Sequence, residues 1–342
     1  MKQIKLAING FGRIGRQAFK IALDQPEASV VAINDLTSPD ILAYLLRYDS
    51  NYRKNRNTVT SDEKHVIVNG VNFPVFAEKD PEALPWKDLG VDVVLECTGR
   101  FTDSEKAGAH LKAGAKKVII SAPAHDSVTP TFVLGVNDTE YKSENIVSNA
   151  SCTTNCITPV VHVIEQAFGI KKVLMTTVHS YTAEQNLVDA PPPGLHAKDL
   201  TRARSAAVNI VPTSTGATIA ATEAIPSLKG KFGGLSIRVP TPVGSLSDFV
   251  FLLNKETTVD EVNETLTRAS QEERLRGILE VSNEPLVSSD IIGNAHSAIV
   301  DLSLTQVIDG DLVKVVAWYD NEYGYSNRLV EQAIAIGAGS QN

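Results

Sequence analysis

At 342 residues the chain exceeds what one typical core organises, so two domains are expected. A formal net charge of −8 runs against a nucleic-acid binder and against a protein held on anionic membranes, since either would want a basic face. Three cysteines, Cys97, Cys152 and Cys156, give neither a disulfide framework nor a zinc spacing. With no signal-like apolar start and no apolar run of membrane length, a soluble cytoplasmic protein without a bound metal is expected.

Strands and helices alternate through the first half. Residues 4–8 are a short apolar strand, and the period of residues 14–23 predicts a helix. Between them lies Gly10-Phe11-Gly12-Arg13-Ile14-Gly15. In that setting the first glycine permits a tight turn, the second lets a pyrophosphate approach the backbone, and the third lets helix and strand pack closely. Residues 30–33 form the next strand, and Asp35 follows it, 20 positions after Gly15. A carboxylate there accepts hydrogen bonds from both ribose hydroxyls of an adenosine and repels a 2′-phosphate, so NAD is expected in preference to NADP. Ser38-Pro39-Asp40 opens a helix that runs through Tyr48, with Ser38 as its N-cap. Residues 91–95 and 118–120 read as strands, and Thr102-Asp103-Ser104-Glu105 has capping-box spacing before a helix. This alternation predicts a Rossmann-type parallel sheet covered on both faces, spanning residues 1–151.

Ser148-Asn149-Ala150-Ser151-Cys152-Thr153-Thr154-Asn155-Cys156 marks the change of domain. It puts Cys152 at the start of a helix, where unsatisfied N–H groups and the helix dipole favour thiolate over thiol. Cys156, four residues on, reads as a small core side chain, and Pro159 predicts a local distortion of the helix. Residues 152–319 carry long alternating runs (172–181, 235–253 and 298–316), which predict an α+β catalytic domain with a largely antiparallel sheet. Asp309-Gly310-Asp311 has hairpin chemistry, and Thr258-Val259-Asp260-Glu261 caps a helix reaching about Ala269. Residues 320–342, helical over 326–336, are expected to pack back on the first domain.

A nucleophilic cysteine needs a proton acceptor. His179, in Thr176-Thr177-Val178-His179-Ser180-Tyr181-Thr182 near a strand end, is the best candidate. Arg238 is an isolated cation in an apolar strand: either it pairs with a phosphate or it snorkels to the surface. Arg202 and Arg204 flank a proline-rich loop. Thr213-Ser214-Thr215-Gly216-Ala217 precedes a helix and either gathers donors around a second anion or simply caps it. Asn321 follows the last strand and either meets a carboxamide or forms a turn.

Together these segments resemble the phosphorylating glyceraldehyde-3-phosphate dehydrogenase family nearly end to end, through NGFGRIGR, SNASCTTNC, TTVHSYT, RAR, PTSTGA, RVPTP and WYDNEYGYSNR. The resemblance implies that Cys152 is the nucleophile and His179 its acid/base partner. It implies further that Thr182, Arg202 and Arg238 hold the phosphate of glyceraldehyde 3-phosphate. Ser151, Thr153, Thr215 and Gly216 would hold the attacking inorganic phosphate. NAD would rest on Gly10, Phe11, Gly12, Arg13, Ile14, Asp35 and Asn321, with Thr98 and Ser121 nearby. A homotetramer is implied by the resemblance alone.

The chain also departs from that pattern. Ala190-Pro191-Pro192-Pro193-Gly194-Leu195-His196 lengthens the loop between His179 and Arg202. Ala190-Pro191 stands where many NAD-specific members carry Leu-Pro, which leaves room for some NADP use. Glu184 stands where the family usually carries Asp. The nearest rival is erythrose-4-phosphate dehydrogenase, against which Thr182 argues by supplying a phosphate hydroxyl. A non-catalytic nucleotide-binding scaffold is the rival from another class.

Overall fold

The computed structural model describes residues 3–192 and 199–339, and the chain divides into two compact units. The first comprises residues 1–132, 139–151 and 326–342; the second comprises 133–138 and 152–325. Residues 320–325 therefore group with the second unit, not with the C-terminal segment. Among the described residues, no helix is long and apolar enough to cross a membrane.

The first unit is built on an eight-stranded sheet with Ile4–Asn9 near its middle, between Ala28–Asn34 and Val93–Glu96. These strands and Lys117–Ile120, Ile146–Ser148 and Val71–Phe76 are parallel, each to its neighbours among them. Strand order reverses beside Ile4–Asn9, and in such sheets the crevice at that reversal is where ligands bind. Val93, Val94, Leu95, Ile119 and Ile120 are wholly buried, as strands covered on both faces should be. The remaining strands, Val59–Ser61 and His65–Val68, add antiparallel hairpins at the edge. Asn69 and Gly70, at φ 50° and 80°, turn the second of them.

Helix signals hold with one shift. Thr258 and Glu261 form the reciprocal capping box ahead of the helix Val259–Gln271. Before Ser104–Lys112, however, the cap is Asp103, whose carboxylate accepts from the Lys106 N–H, not Thr102 one residue earlier. Ser38 occupies the cap position before Pro39–Arg47, without a side-chain cap bond. In the C-terminal helix Tyr323–Gly339, Gln332 donates to the Phe132 carbonyl. A Cβ added at Gly337 would stand 2.5 Å from Ile4 Cγ2, so any larger residue would force the Ile4 side chain to shift.

The second unit's main sheet is mixed, with most of its pairings antiparallel. The long central strand Ile170–Ser180 pairs in parallel with Phe232–Val239 and antiparallel with Ser245–Leu253. One face is dry: Val173, Met175, Phe249, Phe251, Val313 and Val315 pack with Ile157, Val160 and Ile164 of the helix Cys152–Phe168. That helix runs unbroken through Pro159, against the distortion expected from the sequence. Proline removes a single N–H from the ladder, and the apolar face on either side of it, Ile157, Val160 and Ile164, is fixed in the core. Asp309 and Gly310, at φ 49° and 75°, make the hairpin turn between Gln306–Ile308 and Leu312–Tyr319.

Candidate active site

Cross-strand register builds the centre of the site. His179 and Arg238 are direct partners on the parallel strands Ile170–Ser180 and Phe232–Val239, so their side chains share a face. The same face receives the start of the helix Cys152–Phe168, and Ala150, a non-glycine residue at φ 56°, turns the chain into that start. Cys152 Sγ lies 3.4 Å from His179 Nε2. On the far side of the ring, Nδ1 is 2.7 Å from the Ser180 carbonyl oxygen and 2.8 Å from Arg238 Nη1. Tyr319 sets its ring edge-to-face with the imidazole, and its hydroxyl bridges Thr153 and Thr177, each at 2.9 Å.

Burial dominates the electrostatics of the pair. Burial pushes the Cys152 thiol up, and this outweighs the opposing pull of the Arg238 charge and of Thr153. Partial solvent access at the residue tempers that rise. Burial, reinforced by Arg238, holds His179 down at about 3. Burial thus opposes, at both partners, the charge separation that the helix N-terminus and the Arg238 charge on the sulfur favour. Cys97 is pushed up to about 12 by burial and by Glu96, and burial likewise raises Cys156, which lies in the core. Among the described residues, Cys152 is the cysteine with an imidazole nitrogen within hydrogen-bond distance.

Anion-binding candidates gather on the same unit. Thr182 Oγ1 and Arg238 Nε are buried without a hydrogen-bond partner, a costly condition that an anion would relieve. Arg202 is also buried, but two carboxylates already hold it: Glu184 at 2.9 Å and Asp199 at 3.1 Å. The extra methylene of Glu184 relative to Asp lengthens its reach toward that guanidinium. Thr215 accepts the Ala217 N–H at 3.2 Å at the start of the helix Ala217–Ala224, which is the capping alternative; a Cβ at Gly216 would meet nothing within 4 Å. Thr154 Oγ1 reaches the Ala217 carbonyl, which sets this helix start beside the first turn of the Cys152 helix. Ser151 precedes Cys152 directly in the chain and is half-buried. Asn321 Oδ1 accepts from Ser180 Oγ, Gly244 N and Ser245 Oγ at 2.9–3.1 Å. Residues 193–198, with Pro193, Gly194, Leu195 and His196, lie outside the described residues.

The first unit tests the fit of a dinucleotide. Gly10 has φ +92°, and a Cβ there would strike Thr98 N at 2.7 Å; one at Gly15 would stand 2.1 Å from the Gly10 oxygen. At Gly12 a Cβ would meet nothing within 4 Å, which leaves open space for phosphates over an exposed backbone. Asp35 accepts from Phe11 N at 2.7 Å and Thr37 N at 2.9 Å, so it braces the glycine turn and keeps further lone pairs for ribose hydroxyls. Arg13 pairs with Asp49 at 2.8 Å and lies over the Tyr52 ring, and Ile14 follows it in the helix's first turn. Thr98 donates its N–H and hydroxyl to Glu96, and Ser121 donates its N–H to the Glu96 carbonyl. The turn fits NAD, and Asp35→Asn is expected to lower kcat/KM for NAD roughly tenfold to a hundredfold, the scale of a hydrogen bond to a charged group. Kinetics with NADP should change little or improve; a drop that is equal for both cofactors would contradict the ribose role.

Tyr319 and Asp199 carry no mark in the sequence that places them at the site, and Glu184 stands out there only as a departure from the family's Asp. Tyr319 sits inside WYDNEYGYSNR, where only Asn321 drew notice, and its partner Thr153 is 166 positions away. A doubly wound sheet with a glycine-rich turn after a central strand, in a chain that also carries a thiol–imidazole pair, defines the class of nucleotide-dependent dehydrogenases.

Two family models match: "Glyceraldehyde 3-phosphate dehydrogenase, NAD binding domain" over residues 4–104 and "Glyceraldehyde 3-phosphate dehydrogenase, C-terminal domain" over 151–321. The glyceraldehyde-3-phosphate dehydrogenase of Geobacillus stearothermophilus is 52% identical over 97% of this chain and 98% of its own length. That of Zymomonas mobilis is 50% identical over 96% and 97%, and that of Mycobacterium bovis 51% over 98% of each. The chain belongs to the glyceraldehyde-3-phosphate dehydrogenase family, an NAD-dependent family of oxidoreductases.

Proposed function

We propose that the chain oxidises D-glyceraldehyde 3-phosphate to 1,3-bisphosphoglycerate with NAD and inorganic phosphate, through a covalent intermediate on Cys152. The observation that carries this reading is the 3.4 Å approach of Cys152 Sγ to His179 Nε2, together with the unpartnered Thr182 and Arg238 atoms on the same unit. His179 takes the thiol proton, and the sulfur adds to the aldehyde carbon. N–H groups at the helix start and the protonated imidazole steady the oxyanion that forms. NAD, held on the glycine turn with Asp35, would supply the two-electron acceptor that oxidation of an aldehyde to an ester requires. Cys152 keeps the acyl group as a thioester until phosphate attacks its carbonyl carbon; the sulfur then leaves and an acyl phosphate departs. In this scheme Thr182, Arg202 and Arg238 hold the substrate's phosphate, and Ser151, Thr153, Thr215 and Gly216 the attacking one.

A homotetramer is part of the same reading. The second unit's sheet leaves Leu174, Leu235 and Val250 at 67%, 45% and 39% exposure on the face opposite the dry one, an apolar surface that another copy would cover. Three unpaired thiols suit a reducing cytoplasm. The test is NADH formation by the purified protein with glyceraldehyde 3-phosphate, with and without phosphate, and with erythrose 4-phosphate in parallel. Strictly phosphate-dependent turnover preferring the three-carbon aldehyde is expected. A large preference for the four-carbon sugar, or turnover indifferent to phosphate, would refute it.

A further inference from the structure

Three parallel strands at the middle of the first unit's sheet end on polar side chains that lie in one row. Asn34, Asn9 and Glu96 are direct register partners across Ala28–Asn34, Ile4–Asn9 and Val93–Glu96. They are 4%, 1% and 1% exposed, where strands covered on both faces ordinarily carry valine or isoleucine. Asn34 Nδ2 donates to Asn9 Oδ1 at 2.7 Å, and Asn9 Nδ2 donates to Glu96 Oε2. Each member stands just ahead of a segment proposed to hold the cofactor: Asp35 follows Asn34, the glycine turn follows Asn9, and Thr98 comes soon after Glu96. Glu96 anchors the row. Its Oε1 accepts the N–H and the hydroxyl of Thr98, and its Oε2 accepts from Asn9 and from His110 Nε2, 3.1 Å away. The ring proton of that histidine is fixed from behind. Trp86 Nε1, which only donates, lies 2.9 Å from His110 Nδ1, so Nδ1 is bare and Nε2 carries the hydrogen that meets Glu96. Trp86 and His110 are wholly buried, while Thr98, at the other end of the chain of bonds, is half-buried. Thr98 backs the glycine turn: its nitrogen lies 2.7 Å from where a Cβ on Gly10 would stand.

Resting on the reading that the glycine turn holds NAD, we propose that Glu96 is a positioning residue for the cofactor: the row Asn34–Asn9–Glu96, backed by Trp86 and His110, sets Thr98 behind Gly10 and thereby governs NAD affinity without touching the chemistry on Cys152. Glu96→Gln probes the donor count at nearly constant shape. The new amide nitrogen cannot accept, so it meets donors at either end. In the place of Oε2 it would confront two N–H groups, those of Asn9 and His110, and His110 cannot change tautomer while Trp86 holds Nδ1. Asn9 cannot turn its amide over either, because its oxygen is taken by Asn34. In the place of Oε1 it confronts one N–H, that of Thr98, and still bonds the Thr98 hydroxyl. The second arrangement costs less, and it releases the residue that backs the turn.

The test is calorimetric titration of NAD into the full-length protein, wild type against Glu96→Gln, with steady-state kinetics and a thermal melt beside it. Kd and KM for NAD are expected to rise about tenfold or more, the scale of a lost hydrogen bond to a charged group. At saturating NAD, kcat and the KM for glyceraldehyde 3-phosphate should stay within about twofold of the wild type. A residue that only supports the fold would lower the melting midpoint and leave Kd alone. Linkage adds a measurement on the wild type that needs no variant to fold: if opening the row weakens NAD binding, NAD must oppose that opening by the same factor. Exchange of the Trp86 indole N–H with solvent should therefore slow about tenfold or more on saturation with NAD. That of Trp318, which donates to Asp301 in the second unit, is the control and should slow far less. A folded Glu96→Gln protein with unchanged Kd, a loss confined to kcat, Trp86 exchange indifferent to NAD, or equal slowing at Trp318 would overturn the positioning role. Unchanged NAD affinity in Asp35→Asn would instead sink the reading of the glycine turn beneath it.

Discussion

Cys152→Ser is expected to stop acyl phosphate formation while leaving the fold in place. The side chain is half-buried at a helix start, and exchanging sulfur for oxygen changes its volume little. The chemistry changes far more. A serine hydroxyl ionises well above a thiol, so it is both harder to activate and a far poorer leaving group when phosphate attacks the acyl carbon. A fall in kcat of roughly 10⁴-fold or more is expected, the scale on which enzymes lose their covalent nucleophiles. Trapping the acyl phosphate with hydroxylamine, beside NADH formation and a thermal melt, measures it. Accumulation at the wild-type pace in a folded variant would end the thioester account.

His179→Asn is the second large effect. The amide can still donate toward an oxyanion but cannot take a proton, so kcat should fall by about 10²–10⁴, the usual worth of a positioned acid/base group. What remains should climb with pH, because Cys152, itself pushed up by burial, then has to ionise unaided. The same substitution changes acid stability. His179 protonates at about 3 in the fold against its ordinary value of 6.5, so the unfolded chain binds more protons between those values. The wild type therefore loses stability as pH falls below about 6.5 toward 3, and the variant should lack that component. Urea midpoints measured across that range read it directly; parallel slopes for the two proteins would count against a buried neutral imidazole.

What the sequence disclosed was mostly local. The strand, glycine turn and helix over residues 4–23 follow from periodicity and from glycine's freedom at Gly10, both readable within a short window. Asn69-Gly70 was an equally local hairpin signal between apolar runs, and reading it would have found the edge strands that the helix–strand alternation hid. The cap before residue 104 moved by one position because Thr102 and Asp103 are both competent, and geometry chose the carboxylate. Pairings across long separations left no trace in spacing. Nothing near Arg202 reveals Glu184, 18 positions earlier, and nothing near Thr153 reveals Tyr319. The pull of a helix start on the Cys152 thiol is visible in sequence, while the burial around it and around its imidazole is not.

Three donors converge on the side-chain oxygen of Asn321, and that crowding has a consequence for how the residue would meet a ligand. The amide rotor is frozen with its carbonyl end inward, so the nitrogen is the end left over for a guest. A group already locked in orientation forfeits no torsional entropy when the guest arrives, and it cannot flip to tolerate one whose donor and acceptor are transposed. If the proposed cofactor role of Asn321 holds, a flat carboxamide presenting its oxygen would be admitted, while the transposed face would be refused without any steric wall.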